Sequence, residues 1–100
     1  MPDMVHFPMG KLDKARECDL LPEFIFKALS AKYGTVSAEM MAARVLEEVN
    51  KTMVDVQEFD GGLKRTTPKP RPPNVNRLTV EVTQQVFKVG HAYWTTEVQI

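Results

Sequence analysis

The side chains best suited to nucleophilic or metal chemistry are a single cysteine, Cys18, and two histidines, His6 and His91. A catalytic thiol needs a neighbouring base, usually a histidine. His6 lies in a segment rich in turn-forming residues, and His91 directly follows a glycine. Cys18 falls on the same helical face as Leu21 and Ile25, so we predict a buried structural thiol rather than a nucleophile.

Neither metal coordination nor acid–base catalysis is indicated by the remaining patterns. Zinc ligands usually occur in pairs within about five residues, and no cysteine or histidine here has such a neighbour. The adjacent carboxylates Glu47 and Glu48 have Lys51 and Arg44 four residues away, which is typical of a solvated helix face. Gly61-Gly62 lacks the lysine spacing of a phosphate-binding loop. We therefore predict no catalytic residue, no metal, no cofactor and no enzymatic activity.

Residues 64–77 combine five basic residues and four prolines with no acidic residue. This composition favours an extended, partly polyproline II segment, either a linker or an ordered arm. Its basic side chains could contact phosphates without reading bases. The candidate nucleic-acid residues are Lys64, Arg65, Lys69, Arg71 and Arg77.

Two helices precede this segment according to the apolar periodicity. The first is predicted over about residues 20–33, with Pro22 in its first turn and Gly34 after its end, and it could reach back to Lys11. The second is predicted to run to about Met53 and to pack antiparallel on the first. Before them, residues 1–12 are predicted to form an irregular arm because Pro2, Pro8 and Gly10 interrupt any pattern.

The second half of the chain is predicted to form strands. Residues 54–59 fit a short strand, followed by a hairpin turn at residues 60–62. Apolar residues alternate with polar ones over residues 78–83, which is typical of a strand with one buried face. Val86–Val89 and Tyr93–Ile100 are predicted to form an antiparallel hairpin that turns at Gly90-His91.

The first predicted helix is apolar over an unusually wide arc of roughly 200°. Such a helix is either covered on two sides or partly in contact with another chain. The residues on this arc are Cys18, Leu21, Phe24, Ile25, Phe26, Ala28, Leu29 and Tyr33.

Composition limits the class of protein. The chain has 100 residues, 43% of them hydrophobic and 26% charged, which is typical of one globular domain. Thirteen basic and thirteen acidic residues cancel, so no overall field favours a polyanion or a membrane. The chain begins without a basic and apolar leader, and we expect a cytoplasmic protein.

Together these patterns predict a single α+β domain in which two antiparallel helices pack on one face of an antiparallel sheet of three to five strands. We expect a non-enzymatic protein-interaction module, an accessory, adaptor or inhibitor-like protein that forms a homodimer or binds a protein partner. No small-molecule substrate and no membrane is expected. The predicted contact residues lie on the first helix and on the last, edge-forming strand: Phe24, Phe26, Tyr33, Trp94, Val98 and Ile100.

The alternative is nucleic-acid binding, through segment 64–77 or through a winged-helix-like arrangement of the two helices and the hairpin. The winged-helix form is disfavoured because its recognition helix would expose Glu39, Glu47 and Glu48 to phosphate. Binding through segment 64–77 remains open on the sequence alone.

Overall fold

The computed structural model describes residues 2–58, 64–83 and 87–96. Within these residues the chain forms three helices and five strands. In chain order they are β1 (Asp3–Pro8), α1 (Met9–Glu17), α2 (Leu21–Tyr33), α3 (Thr35–Met53), β2 (Val54–Glu58), β3 (Lys64–Pro68), β4 (Arg77–Thr83) and β5 (Lys88–Thr95).

The main sheet has three antiparallel strands in the order β1-β4-β5. β1 comes from the segment predicted to be an irregular arm, so that prediction is wrong for residues 3–12. Val5 and Phe7 pair with Val80 and Leu78 of β4, and all four side chains are buried. This strand is stabilised by a partner more than seventy residues away, which local composition does not reveal.

The two predicted helices are confirmed as α2 and α3, and they pack against each other with α3 also contacting β4 and β5. Only Gly34 separates them, at φ 86° and ψ 161°. A glycine is required there because a side chain strongly disfavours this backbone conformation. The predicted α+β fold, with packed helices on an antiparallel sheet, is therefore confirmed.

A third helix, α1, lies before α2. The sequence predicted an irregular arm over residues 1–12 and a first helix that could reach back to Lys11, so it did not predict a separate helix here. α1 packs on α2 and on β1 through the buried side chains of Leu12 and Ala15. With α3 on another side, α2 is covered by two helices, which accounts for much of its wide apolar arc. Leu21, Ile25 and Leu29 form its buried face.

The core lies between the helices and one face of the sheet. Its largest fully buried apolar side chains come from every part of this layer: Phe7, Leu12, Ile25, Leu29, Met41, Val45, Val49, Met53, Leu78, Val80 and Val82. Among the described residues, the buried apolar side chains all belong to β1, α1, α2, α3 or β4.

The predicted turn at Gly90-His91 is wrong, because both residues lie inside β5. β5 pairs with β4 instead, and Thr83 stands opposite Lys88 where the two strands meet. A register shift occurs between Val80 and Val82. A Cβ atom at position 90 would lie 3.4 Å from the Cβ of Glu81, which is an ordinary van der Waals contact.

β2 and β3 form a separate antiparallel hairpin directly after α3. β2 confirms the strand predicted over residues 54–59, whereas the predicted turn at residues 60–62 lies outside the described residues. Residues 64–68 of the proline-rich segment form β3, and the rest continues to β4 without a helix or strand. Of the two predicted forms of this segment, a linker or an ordered arm, residues 64–68 are ordered by pairing with β2.

Candidate functional site

α1 and α2 are brought side by side by a short corner. α1 ends at Glu17, and Asp19 takes the left-handed conformation with φ 58°. The backbone N–H of Leu20 donates to the carbonyl oxygen of Ala15 at 2.7 Å, which closes the end of α1. α2 begins at Leu21 with Pro22 in its first turn, a position that needs no N–H donor.

The corner leaves a groove of about 340 Å³ between the two helices. Its surface is mainly apolar, and Leu20 keeps 47% of its area exposed. The residues lining the groove are Lys11, Lys14, Ala15, Cys18, Leu20, Glu23, Phe24 and Lys27.

The charge around the groove is mostly positive. Its three lysines, Lys11, Lys14 and Lys27, which we call the rim lysines, pair with no carboxylate in the part of the chain that the structure describes. Three other lysines are paired: Lys32 lies 3.3 Å from Asp3, Lys51 lies 3.0 Å from Glu47 and Lys69 lies 3.6 Å from Asp55. Of the lining residues, Glu23 alone is acidic. The groove thus combines apolar surface with lysines available to an acidic ligand.

Cys18 is exposed on this groove, so its predicted burial is wrong. The prediction placed Cys18 on a backward extension of α2, beside Leu21 and Ile25. The chain instead breaks between Cys18 and Leu20, so Cys18 ends α1 and is no longer in phase with α2.

The predicted interaction residues of α2 have different environments. Phe24 lines the groove and packs on Phe7, with their ring centroids 6.1 Å apart. Phe26 is partly buried against the core. Tyr33 donates a hydrogen bond of 2.7 Å to Oδ2 of Asp3. Burial and the Asp3 carboxylate raise the pKa of Tyr33 above its ordinary value, whereas the Tyr33 bond and Lys32 lower the pKa of Asp3.

Trp94 of β5 is occupied by a contact within the chain. The guanidinium of Arg71 lies 4.5 Å from the centroid of the Trp94 ring. The same group donates two hydrogen bonds to the carboxylate of Asp13 on α1, one of them 2.7 Å from Nη1 to Oδ2. This pairing lowers the pKa of Asp13. Arg71 and Trp94 therefore join the proline-rich segment to α1 and β5, while Val98 and Ile100 lie outside the described residues.

Two of the other candidate nucleic-acid residues, Lys69 and Arg77, also make contacts within the chain. Lys69 lies 3.6 Å from Asp55 of the hairpin. Arg77 is on β4, where its Nε donates to Oγ1 of Thr95 at 3.2 Å. The backbones of Lys64 and Arg65 lie in β3, and their side chains are beyond the described part of the structure.

Side chains occupy carbonyl groups on both edge strands of the main sheet. Nζ of Lys32 donates to the carbonyl oxygen of Met4 on β1 at 2.7 Å. Oγ1 of Thr52 donates to the carbonyl oxygen of Ala92 on β5 at 3.3 Å, where α3 packs along the strand. Both contacts compete with an added strand for these acceptors.

The sheet face away from the helices carries a row of polar contacts across all three strands. Nδ1 of His6 lies 2.9 Å from Oγ1 of Thr79, which lies 2.7 Å from Oγ1 of Thr95. Arg77 continues the row, and burial and the Arg77 charge lower the pKa of His6. His6 is thus on β1, His91 on β5 and Cys18 at the end of α1, and the described residues include no cluster of three or more metal-ligating side chains.

Sequence reasoning did not identify the groove. Lys14 and Leu20 were missed because α1 has a weak apolar pattern and contains Gly10, while Lys27 belongs to the polar edge of α2. One signal in the sequence could have revealed the corner beside the groove. Pro22 indicates that a new helix begins just after Asp19-Leu20, which separates it from the preceding helix.

Comparisons with known protein families, curated proteins and solved structures found no match to this chain. In the described residues, no helix is long and apolar enough to cross a membrane.

Proposed function

We propose that this chain is a protein-interaction module whose groove binds an amphipathic helix with acidic residues beside its apolar face. The observation that supports the proposal is the groove itself: Leu20 and Phe24 form an apolar surface, and the rim lysines are not neutralised by carboxylates of the described residues. Helix-in-groove recognition uses this combination, in which apolar anchors enter the groove and charges at its border select the partner.

The apolar surface of the groove and its rim lysines have distinct roles in this proposal. Burial of the exposed part of Leu20 supplies affinity, since apolar area removed from water is worth about 25 cal/mol per Å². The rim lysines supply selectivity and faster association, because opposite charges at the border attract an acidic helix and repel a basic one. An acidic amphipathic helix can contact both the apolar surface and the rim lysines.

The edge-strand form of interaction is less well supported. Lys32 and Thr52 already donate to carbonyl groups on β1 and β5. The nucleic-acid alternative is also weaker, because Arg71 is paired with Asp13 and Lys69 with Asp55. Phosphate contacts would moreover leave the apolar surface of the groove unused.

The test is a titration of the isotopically labelled full chain with two synthetic helical peptides, followed by NMR. Both peptides carry the same leucines at i and i+4 spacing, and one carries glutamates where the other carries lysines. We expect the acidic peptide to shift the amide signals of Lys14, Cys18 and Phe24, and the basic peptide to leave them unchanged.

Variants locate the binding on the groove. Leu20→Glu should weaken binding of the acidic peptide by at least about tenfold, because it places a carboxylate among apolar side chains facing another acidic group. Bulky alkylation of Cys18 should block the groove, while Cys18→Ser should still bind. Lys88→Gln, a change at an exposed lysine of β5, is the control and should bind like the unaltered chain.

Two results would overturn the proposal. One is an acidic peptide that leaves the groove signals unshifted. The other is a single-stranded oligonucleotide that shifts the same signals as strongly as the peptide, since it has acidic groups but no apolar side chain.

A further inference from the structure

α3 has a second apolar strip, on the side that faces solvent. Val36 and Met40 are exposed over 72% and 68% of their areas, and Ala43 is also exposed. Glu39 and Glu47 lie beside them. We call these five residues the α3 stripe.

The α3 stripe is distinct from the helix face that builds the core. Ala38, Met41, Val45, Val49 and Met53 are buried on that face. Single exposed apolar residues are common on protein surfaces. Two large ones separated by one helical turn, with an exposed alanine one turn further, instead match the i, i+4, i+7 anchors of a helix that docks in a groove.

The charges of the stripe complement those of the groove. Glu39 forms no ion pair among the described residues, whereas Glu47 pairs with Lys51 at 3.0 Å and with Arg44 at 3.7 Å, so Glu39 is the acidic group available to the rim lysines. The rim lysines are likewise available on the groove. Val36 and Met40 match the apolar surface around Leu20 and Phe24, so the stripe has the features of the acidic amphipathic helix proposed as the ligand.

A chain is unable to fill its own groove with its own stripe. The opposite face of α3 is fixed in the core, where Ala38, Met41 and Val45 are buried, so the stripe faces solvent. It cannot enter the groove between α1 and α2 of its own chain unless α3 leaves the core. Any match between them has to occur between two molecules.

We infer that the α3 stripe of one copy docks in the groove of a second copy, so that the chain assembles head to tail. This inference rests on the proposed function of the groove. Because the two surfaces differ, the pair formed by a first contact keeps one free groove, on one copy, and one free stripe, on the other. Such a contact continues until a ring closes or a filament forms.

The assembly should depend on concentration and on salt. Each contact joins one groove and one short helical stripe, so a single contact should be weak and gain strength when a ring closes. Exposed lysine–glutamate pairs are screened by salt. The mean mass of the assembly should therefore rise with protein concentration and fall as salt is added.

The decisive experiment mixes two variants that each lack one surface. Leu20→Glu disables the groove and keeps the stripe, while Val36→Gln with Met40→Gln disables the stripe and keeps the groove. Size-exclusion chromatography with light scattering should show larger species for the unaltered chain and monomers for each variant alone. An equimolar mixture should give a complex of two chains, since it contains one working pair of surfaces.

Tyr93→Gln is the matched control, because Tyr93 is also a large exposed apolar residue but lies on β5. This variant should assemble like the unaltered chain. Circular dichroism of every variant checks that the helices are retained.

Several outcomes would overturn the inference: an unaltered chain that stays monomeric at all concentrations, single-surface variants that still assemble, or a mixture that yields no two-chain complex. If the acidic peptide nevertheless binds the groove, the proposed function stands and only the identity of the partner is wrong. If the acidic peptide also fails to bind, both the proposed function of the groove and the head-to-tail assembly are wrong.

Discussion

Arg71 leaves the proline-rich segment to reach the carboxylate of Asp13 and the ring of Trp94. The sequence placed it among basic residues available to phosphate. In the structure its side chain is largely enclosed and bridges α1 and β5, which are far apart in the chain. At the scale of single residues, the Arg71 guanidinium, which the sequence suggested for phosphate binding, instead connects α1 and β5.

The first prediction concerns this contact. Arg71→Ala should lower the free energy of unfolding by about 2 kcal/mol, because it removes hydrogen bonds to a charged group and a cation–π contact. Urea unfolding followed by fluorescence measures it, and Trp94 is the only tryptophan of the chain. Lys88→Ala, at an exposed lysine of β5, should leave the free energy nearly unchanged.

The same contact predicts a dependence on pH. Because Arg71 lowers the pKa of Asp13, the stabilisation is present above the ordinary pKa of an aspartate, about 3.9, and is lost as the pH falls further towards the lowered value. The difference in unfolding free energy between the unaltered chain and Arg71→Ala should therefore shrink below about pH 4. A difference that is absent at neutral pH, or that grows in acid, would contradict this account.

Gly34 shows how one position between two elements controls how they meet. It ends α2 and precedes α3, and its φ of 86° with ψ of 161° lies in a region used almost exclusively by glycine. No neighbouring atom lies within 4 Å of a Cβ built at this position, so the requirement comes from the backbone.

The second prediction compares two glycines. Gly34→Ala should lower the free energy of unfolding by about 1 to 3 kcal/mol through backbone strain. Gly10→Ala, inside α1 and also with open space around it, should raise it by about 0.5 kcal/mol because alanine favours the helix. Thermal unfolding followed by circular dichroism distinguishes the two signs, and equal effects would contradict the explanation.

Elements were predictable where their signal is local. α2, α3 and β4 carry regular apolar periods, and the structure has them close to the predicted limits. β1 and β5 depend on β4, which pairs with both. The partner of β1 is distant in the chain, so the sequence predicted an irregular arm there. The limits of β5 depend on its register with β4, so the sequence predicted a turn at Gly90-His91 inside the strand.

At the scale of the whole molecule, the buried core that the structure describes lies outside the β2–β3 hairpin. The described buried core residues end at Met53 and resume at Leu78. Val54 and Pro68 are partners at the base of the hairpin, so a short linker can join their positions.

The third prediction follows from this division. Replacing residues 55–67 by a short glycine–serine linker should change the free energy of unfolding by about 1 kcal/mol or less, because the loop closes over a shorter length and neither Asp55 nor Thr67, the two described side chains of this range, is buried. Urea unfolding should remain cooperative. Deleting residues 3–8 is the contrasting control and should abolish cooperative folding, since β1 contributes the buried Val5 and Phe7. Loss of cooperativity in the hairpin variant would contradict the prediction.

The amino-acid sequence by itself determined the α+β class, the two main helices and the buried faces of α3 and β4, because these depend on spacing within one element. It also indicated that α2 has more apolar surface than one contact can cover. Only the tertiary structure decided that α1 covers part of that surface, that the corner at Asp19 leaves a groove, and that the rim lysines surround it. These features depend on which side chains from distant parts of the chain meet. Local periodicity specifies the apolar face of a helix or strand, but it does not specify which element packs on that face.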